Sequence, residues 1–244
     1  MRAVVQRINR PLFWITLFGV AMAFFESSVV IYLRELYYPE GFSFPLSHID
    51  SHIAVTELIR EFFSLVMILS VAAMTSRSFM QRFAHFLYIF AIWDIFYYVF
   101  LKLLLGWPES VLTWDVLFLI PVTWSGPMIT PILVSLVMIA FAFVIRSFNL
   151  KSGNRFYIEP REWMVLLAGA VVIFASFIWD YTRYLINSLN WQTLRHHDAM
   201  REQIEELAYQ YVPVDFNWFV FLFGMALLLL SLGMIYRRNS RLWR

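Results

Sequence analysis

The chain has 244 residues, of which 61% are hydrophobic, 19% aromatic and only 15% charged. Ordinary globular domains are about 45–50% apolar and about 25% charged, so this composition indicates an integral membrane protein. The net charge of +2 gives no basis for binding nucleic acid. Because the chain has no cysteine, disulfides, thiolate metal ligands, a cysteine nucleophile and palmitoylation are excluded.

The first apolar stretch follows Arg2, Arg7 and Arg10, as the apolar region of a signal peptide would. It is too long for a signal peptide, however, and no cleavage site of small residues follows it. We therefore predict a retained first transmembrane helix, with Pro11 in its first turn.

A membrane-spanning helix needs about 20 mostly apolar residues, and the chain contains six stretches of suitable length and composition. We predict an all-α, multi-pass membrane protein in which residues 1–244 form one domain. The six predicted spans cover about 11–33, 53–75, 83–105, 127–145, 163–181 and 216–236.

Two shorter segments complete the predicted fold. The apolar segment at about 109–121 is too short to span and ends before a Trp-Ser-Gly-Pro break, which predicts a half-helix that is re-entrant or lies at the interface. At about 192–211, apolar residues recur at helical spacing opposite charged ones. This pattern predicts an amphipathic helix on the outer side.

The basic residues predict the orientation. Most of them fall on one side of the six-span arrangement, at the two chain ends and in the second and fourth connections. By the positive-inside rule, we expect a protein of the plasma (inner) membrane with both termini in the cytoplasm.

Ionisable residues within the first three spans form the candidate site. Helical rise places Glu26 about 24 Å from Arg10, and Glu61 about 24 Å from Arg77, so both belong to the outer half of the bilayer. Lipid contact is costly for charged groups, so spans one to three should pack with these residues facing inward. The candidate catalytic residues are Glu26, Glu57, Arg60, Glu61 and Asp94.

Two interpretations of this cluster remain open. Arg60 can neutralise one carboxylate, so the other acids must be protonated or meet water or bound cations. The cluster is then either a structural Arg–Glu network or a functional site, and we favour the site because ionisable groups inside membranes usually have a function.

The histidines suggest a metal site at the outer mouth of this cluster. His48 and His52 are four residues apart and precede Glu57 and Glu61, a set that suits zinc or another divalent metal. The His-His-Asp run at 196–198 falls on the same predicted side. The alternative is that these are solvated loop histidines. His85 is isolated and is assigned to helix packing or the interface.

Small residues, including Gly169 and Gly224, predict close packing of the fifth and sixth spans. The aromatic residues Tyr97 and Tyr98 are assigned to the interfacial belt and to packing.

Three classes of function fit the sequence. The first is a membrane enzyme, metal-dependent on one interpretation, that acts on a lipid-like substrate at the outer leaflet. The second is a non-catalytic subunit or scaffold that docks a membrane-protein partner. The third is a proton- or cation-coupled transporter, which is disfavoured because the chain shows no clear internal repeat. Of these three classes, we favour the enzyme.

Overall fold

The computed structural model describes residues 2–189 and 197–241. Its helices are α1 (Arg2–Tyr37), α2 (Ser51–Met74), α3 (Phe79–Leu105), α4 (Ile129–Lys151), α5 (Pro160–Ser188), α6 (His197–Gln210) and α7 (Trp218–Arg241). Between α3 and α4, the strands β1 (Trp114–Phe118) and β2 (Trp124–Pro127) pair antiparallel. A largely helical architecture was predicted and is confirmed.

Five helices in the described part of the chain are long and apolar enough to cross a membrane. They are α1 from Pro11 onward, α3, α4, α5 and α7. The protein is therefore a multi-pass membrane protein. The predicted span at 53–75 corresponds to α2, which has 24 residues but carries Glu57, Arg60 and Glu61. It is not among the five, so a sixth span remains a prediction.

The half-helix predicted at 109–121 is wrong, because the segment contributes a strand to a β-hairpin. Trp114 pairs with Pro127 and Asp115 pairs with Gly126. The segment is rich in the β-branched and aromatic residues that favour strands. A short apolar run does not distinguish a buried strand from a buried helix, which explains the error.

The amphipathic helix predicted at about 192–211 overlaps α6, while residues 190–196 lie outside the described residues. Tyr209, near the end of α6, stacks on His48 with 4.0 Å between ring centroids. Its hydroxyl donates a 3.1 Å hydrogen bond to the carbonyl of Ile49. These contacts hold α6 against the segment that precedes α2. Its position on the outer side of the membrane remains a prediction.

α1 and α3 run in the same direction. The hydroxyls of Thr16 and Tyr88 are 2.9 Å apart, and Ser27 donates a 3.2 Å hydrogen bond to the carbonyl of Tyr97. The contact that lies later in α1 also lies later in α3, so the two helices are parallel. The chain must therefore return from the end of α1 to the start of α3, and α2 is the helix that lies between them in sequence.

His85, which we assigned to helix packing or the interface, is buried in a polar network. Its Nδ1 is 2.8 Å from the Thr75 hydroxyl and its Nε2 is 2.7 Å from the Gln81 amide nitrogen. Asn149 of α4 extends the network by donating to the Gln81 amide oxygen at 3.2 Å. The network thus links the start of α3 to the end of α4.

α5 and α7 approach closely at two glycines, which confirms the packing predicted from the sequence. A Cβ added to Gly169 would lie 2.9 Å from Leu228 Cδ2, and one added to Gly224 would lie 2.9 Å from Ile173 Cγ1. Real Cβ atoms need more room than this, so only glycine lets the two backbones come this near.

Gly224→Ala should therefore destabilise the protein. Relative to Gly233→Ala, we expect a loss of about 1–3 kcal/mol in the free energy of unfolding, because the added methyl group forces α5 and α7 apart. Gly233 lies on the same helix and has no atom within 4 Å of its added Cβ, so it is a matched control for helix propensity. Denaturant titration in detergent measures both variants, and equal stability would contradict the close packing.

Candidate functional site

A cavity of about 310 Å³ lies between α1, α2, α3, the hairpin, α6 and the segment before α2. The three helices, although distant in sequence, present their ionisable residues to the same space. All five predicted catalytic candidates line it: Glu26, Glu57, Arg60, Glu61 and Asp94.

Arg60 binds two of the acids. Its Nε donates a 2.7 Å hydrogen bond to Glu57 Oε2, and its Nη1 is bonded to Glu26 Oε1. Ser64, one turn further along α2, lies 3.5 Å from the second oxygen of Glu26. Arg60 thus links α2 to α1 and satisfies two carboxylates with one guanidinium group.

Glu61 and Asp94 are held by neutral donors instead. The backbone N–H of Leu119 donates a 2.9 Å hydrogen bond to Glu61 Oε2. The hydroxyl of Ser135 on α4 donates a 2.8 Å hydrogen bond to Asp94 Oδ2. Among the described residues, neither acid forms an ion pair with an arginine or lysine. These two carboxylates therefore retain capacity for an additional partner.

A second ion pair, which the sequence analysis missed, lies in the same cavity. Arg34 Nη2 is 3.3 Å from Asp115 Oδ1, and the Tyr98 hydroxyl donates to Asp115 Oδ2 at 3.1 Å. The Arg34 guanidinium carbon lies 4.4 Å from the ring centroid of Phe42 and 3.7 Å from that of Trp107, as in cation–π contacts. Burial raises the pKa of Asp115 to about 6, although Arg34 and Tyr98 oppose this shift.

Signals for these missed residues were present in the sequence. Asp115 is an isolated acid in an apolar segment, and Arg34 is one of the few basic residues on the predicted outer side. Either could have suggested a buried partner, but the two are 81 residues apart and nothing local joins them. Tyr97 and Tyr98, which we assigned to the belt and to packing, also line the cavity.

The structure gives the predicted metal site no support. His48 stacks on Tyr209 and His52 is exposed at the start of α2, so neither is part of the cavity wall. Glu57 accepts a hydrogen bond from the Arg60 side chain instead, and Glu61 accepts one from the backbone N–H of Leu119. Within residues 2–189 and 197–241, no three His, Asp or Glu side chains are grouped in a way that could hold a metal ion.

The structure describes no side chain of the predicted His-His-Asp run at 196–198. His196 lies outside the described residues, and His197 and Asp198 are placed only as part of the backbone of α6.

The cavity wall combines acids with apolar and aromatic groups. Five carboxylates and two guanidinium groups line it, which is a formal charge of −3 if all are ionised. The remaining wall is mainly aliphatic and aromatic. Such a mixture suits an amphipathic ligand, and carboxylates that are free of ion pairs are suitable general acids and bases.

No protein-family model, curated protein or solved structure matches this chain. Its function is therefore inferred from the side chains of the cavity.

Proposed function

We propose that this protein is a membrane enzyme that acts on a lipid-like substrate by general acid–base catalysis. One observation carries the proposal: within a single cavity, Glu61 and Asp94 form no ion pair among the described residues, whereas Glu26, Glu57 and Asp115 do. A network with only a structural role would be expected to pair its buried charges. Unpaired acids inside a membrane cavity are typical of functional sites.

The residues divide into two roles under this proposal. Glu61 and Asp94 are the catalytic residues, which give and take protons at the substrate. Arg60, with Glu26 and Glu57, is a positioning group that fixes α1 against α2 and so shapes the cavity. Ser135 and the Leu119 amide each orient one of the catalytic carboxylates.

The apolar part of the cavity supports a substrate with a hydrocarbon portion. Aliphatic side chains from α1, the segment before α2 and the hairpin line the same space as the acids: Val30, Leu33, Leu46, Ile49, Val116 and Leu117. A small polar solute would gain little from such walls, whereas a lipid-like molecule would bury its chain there.

Lipid turnover in nanodiscs tests the proposal. The purified protein is reconstituted with a total bacterial lipid extract, and lipid species are followed over time by mass spectrometry. We expect one species to decline and a product to appear with the wild type but not with the Glu61→Gln/Asp94→Asn variant. Identical lipid profiles for the two proteins would instead favour the scaffold function.

We also propose that α2 crosses the membrane, which makes six spans. The parallel arrangement of α1 and α3 supports this, because the chain has to return across the bilayer between them. The 24 residues of α2 extend about 36 Å, enough for the hydrocarbon core. With the basic residues on the inner side, both termini lie in the cytoplasm and the cavity opens outward.

Reporter fusions check this topology. Fusions after Arg77 and after Lys151 should report a cytoplasmic position, and a fusion near Gln203 should report an external one. An external signal at Lys151, or a cytoplasmic signal at Gln203, would contradict the six-span arrangement.

A further inference from the structure

The charge of the cavity restricts the headgroup that it can bind. Both guanidinium groups of the wall already form ion pairs: Arg60 binds Glu26 and Glu57, and Arg34 binds Asp115 through Nη2, although Arg34 Nη1 has no hydrogen-bond partner among the described residues. A headgroup with a net negative charge would face five carboxylates and, of the two guanidinium groups, only Arg34 Nη1 is free to bind it. A headgroup that also carries a positive charge would instead be attracted to Glu61 and Asp94, which form no ion pair among the described residues.

The negative charge is spread along the cavity. Among the residues that the structure describes, no three acidic or histidine side chains gather around one point suited to a metal ion. Asp94 and Glu61 are anchored to different elements, α4 and the hairpin respectively. An organic cation, which is larger and makes several hydrogen bonds, suits this distribution.

The aromatic residues of the wall suit an organic cation for a second reason. Ammonium groups are attracted to the faces of aromatic rings, and the effect is larger where water is excluded. Aromatic side chains from α3, α6, the hairpin and the segment after α1 line the cavity together with the acids: Tyr38, Phe42, Trp93, Tyr97, Tyr98, Phe118 and Tyr209.

Trp93 indicates what else the headgroup carries. It lines the cavity, it is only 7% exposed, and its indole N–H has no hydrogen-bond partner among the described residues. A buried tryptophan N–H usually finds an acceptor. Trp93 and Asp94 both line the cavity, so one ligand with an oxygen acceptor can contact both side chains.

We infer that the cavity binds an amphiphile whose headgroup carries an ammonium group and an oxygen acceptor, as phosphoethanolamine does. The cavity volume of about 310 Å³ is at the small end of ligand pockets, which span about 300–1,000 Å³. It therefore holds a headgroup, while the acyl chain remains among the apolar side chains or in the bilayer. The inference rests on the proposed function for its site, but binding is measured without turnover.

A comparison of two lysolipids tests the inference. Lysophosphatidylethanolamine and lysophosphatidylglycerol with the same acyl chain differ in whether the headgroup carries an ammonium group. Binding of each to the full-length protein is measured by thermal stabilisation in dodecylmaltoside, a detergent with an uncharged headgroup. We expect lysophosphatidylethanolamine to bind about tenfold or more tightly than lysophosphatidylglycerol.

Single substitutions test which residues of the cavity contact the headgroup. Glu61→Gln and Asp94→Asn should each weaken lysophosphatidylethanolamine binding by about tenfold, since each removes a charge that attracts the ammonium group. Glu35→Gln, an exposed acid on α1 that does not line the cavity, should bind like the wild type. Trp93→Phe keeps an aromatic ring but removes the donor, so it should weaken both lysolipids to the same degree.

The outcomes are distinct. Equal binding of the two lysolipids, or tighter binding of lysophosphatidylglycerol, would overturn the inference. Binding of free phosphoethanolamine as tight as that of the lysolipid would show a soluble ligand and overturn the amphiphile. Preferential lysophosphatidylethanolamine binding without lipid turnover would support this inference while counting against the enzyme. Turnover of a lipid without an amine would support the enzyme and count against this inference.

Discussion

Replacing Arg60 with alanine is expected to lower the free energy of unfolding by about 3–5 kcal/mol, the usual cost of breaking a buried ion pair by removing one partner. Arg60 is the cation that satisfies both Glu26 and Glu57, and it joins α1 to α2. Without it, two carboxylates remain in the cavity with no guanidinium group to bind. The loss should be visible as a lower denaturation midpoint in detergent.

Three further variants make the Arg60 measurement specific. Adding Glu26→Gln to Arg60→Ala should restore part of the stability, because it removes one of the stranded charges. From the sequence alone, Glu61 is an equally reasonable partner, but its hydrogen bond comes from Leu119, so Glu61→Gln should rescue less. Arg237→Ala, at an exposed position on α7, should change the free energy of unfolding by less than about 0.5 kcal/mol. If Arg60→Ala is as stable as Arg237→Ala, the ion pairs do not support the fold.

Asp94→Asn is expected to reduce lipid turnover by about 10²- to 10⁴-fold, the range typical of a lost general acid or base. The amide keeps the shape of the side chain and can still accept the Ser135 hydrogen bond, so the fold should persist. The rate constant for turnover of the lipid identified in nanodiscs is the quantity to measure, with the unfolding midpoint as a check on folding.

The control for Asp94→Asn is Glu35→Gln, whose side chain is exposed outside the cavity. It should leave the turnover rate within about twofold of the wild type, since a single exposed charge alters the local field little in water. A turnover rate for Asp94→Asn that matches Glu35→Gln would remove Asp94 from the proposed catalytic pair and leave Glu61 to be tested alone.

The sequence predicted the helices and the depth in the bilayer at which Glu26 and Arg60 lie, because both follow from local rules. Five predicted spans correspond to helices that can cross a membrane, since a run of apolar residues needs no tertiary context to be recognised. Helical rise also put Glu26 and Arg60 at similar depths, and the two residues are in contact. The same calculation put Asp94 nearer the middle of the bilayer, so its place in one cavity with the other four residues follows instead from the expected inward packing of spans one to three.

The remaining features depend on contacts between distant parts of the chain. The hairpin was missed because its strands are short and β1 is an almost continuous apolar run, so only the pairing of the two segments, as between Trp114 and Pro127, identifies them as strands. The Arg34–Asp115 pair was missed because two isolated charges can be matched only when the hairpin is known to lie beside α1. The metal prediction depended on His48 and His52 facing the acids, whereas His48 packs on Tyr209.

The linkage of α1 to α2 through Arg60 has a consequence for how the protein is made. Charged residues oppose the entry of a helix into the bilayer through the translocon, by up to about 2.5–3.5 kcal/mol for an arginine or aspartate at the helix centre. α2 has three such residues within five positions, whereas α1 can offer Glu26 as a partner to one of them. α2 should therefore insert poorly alone and well when α1 precedes it, so the two helices would enter the membrane as a cooperative unit during synthesis.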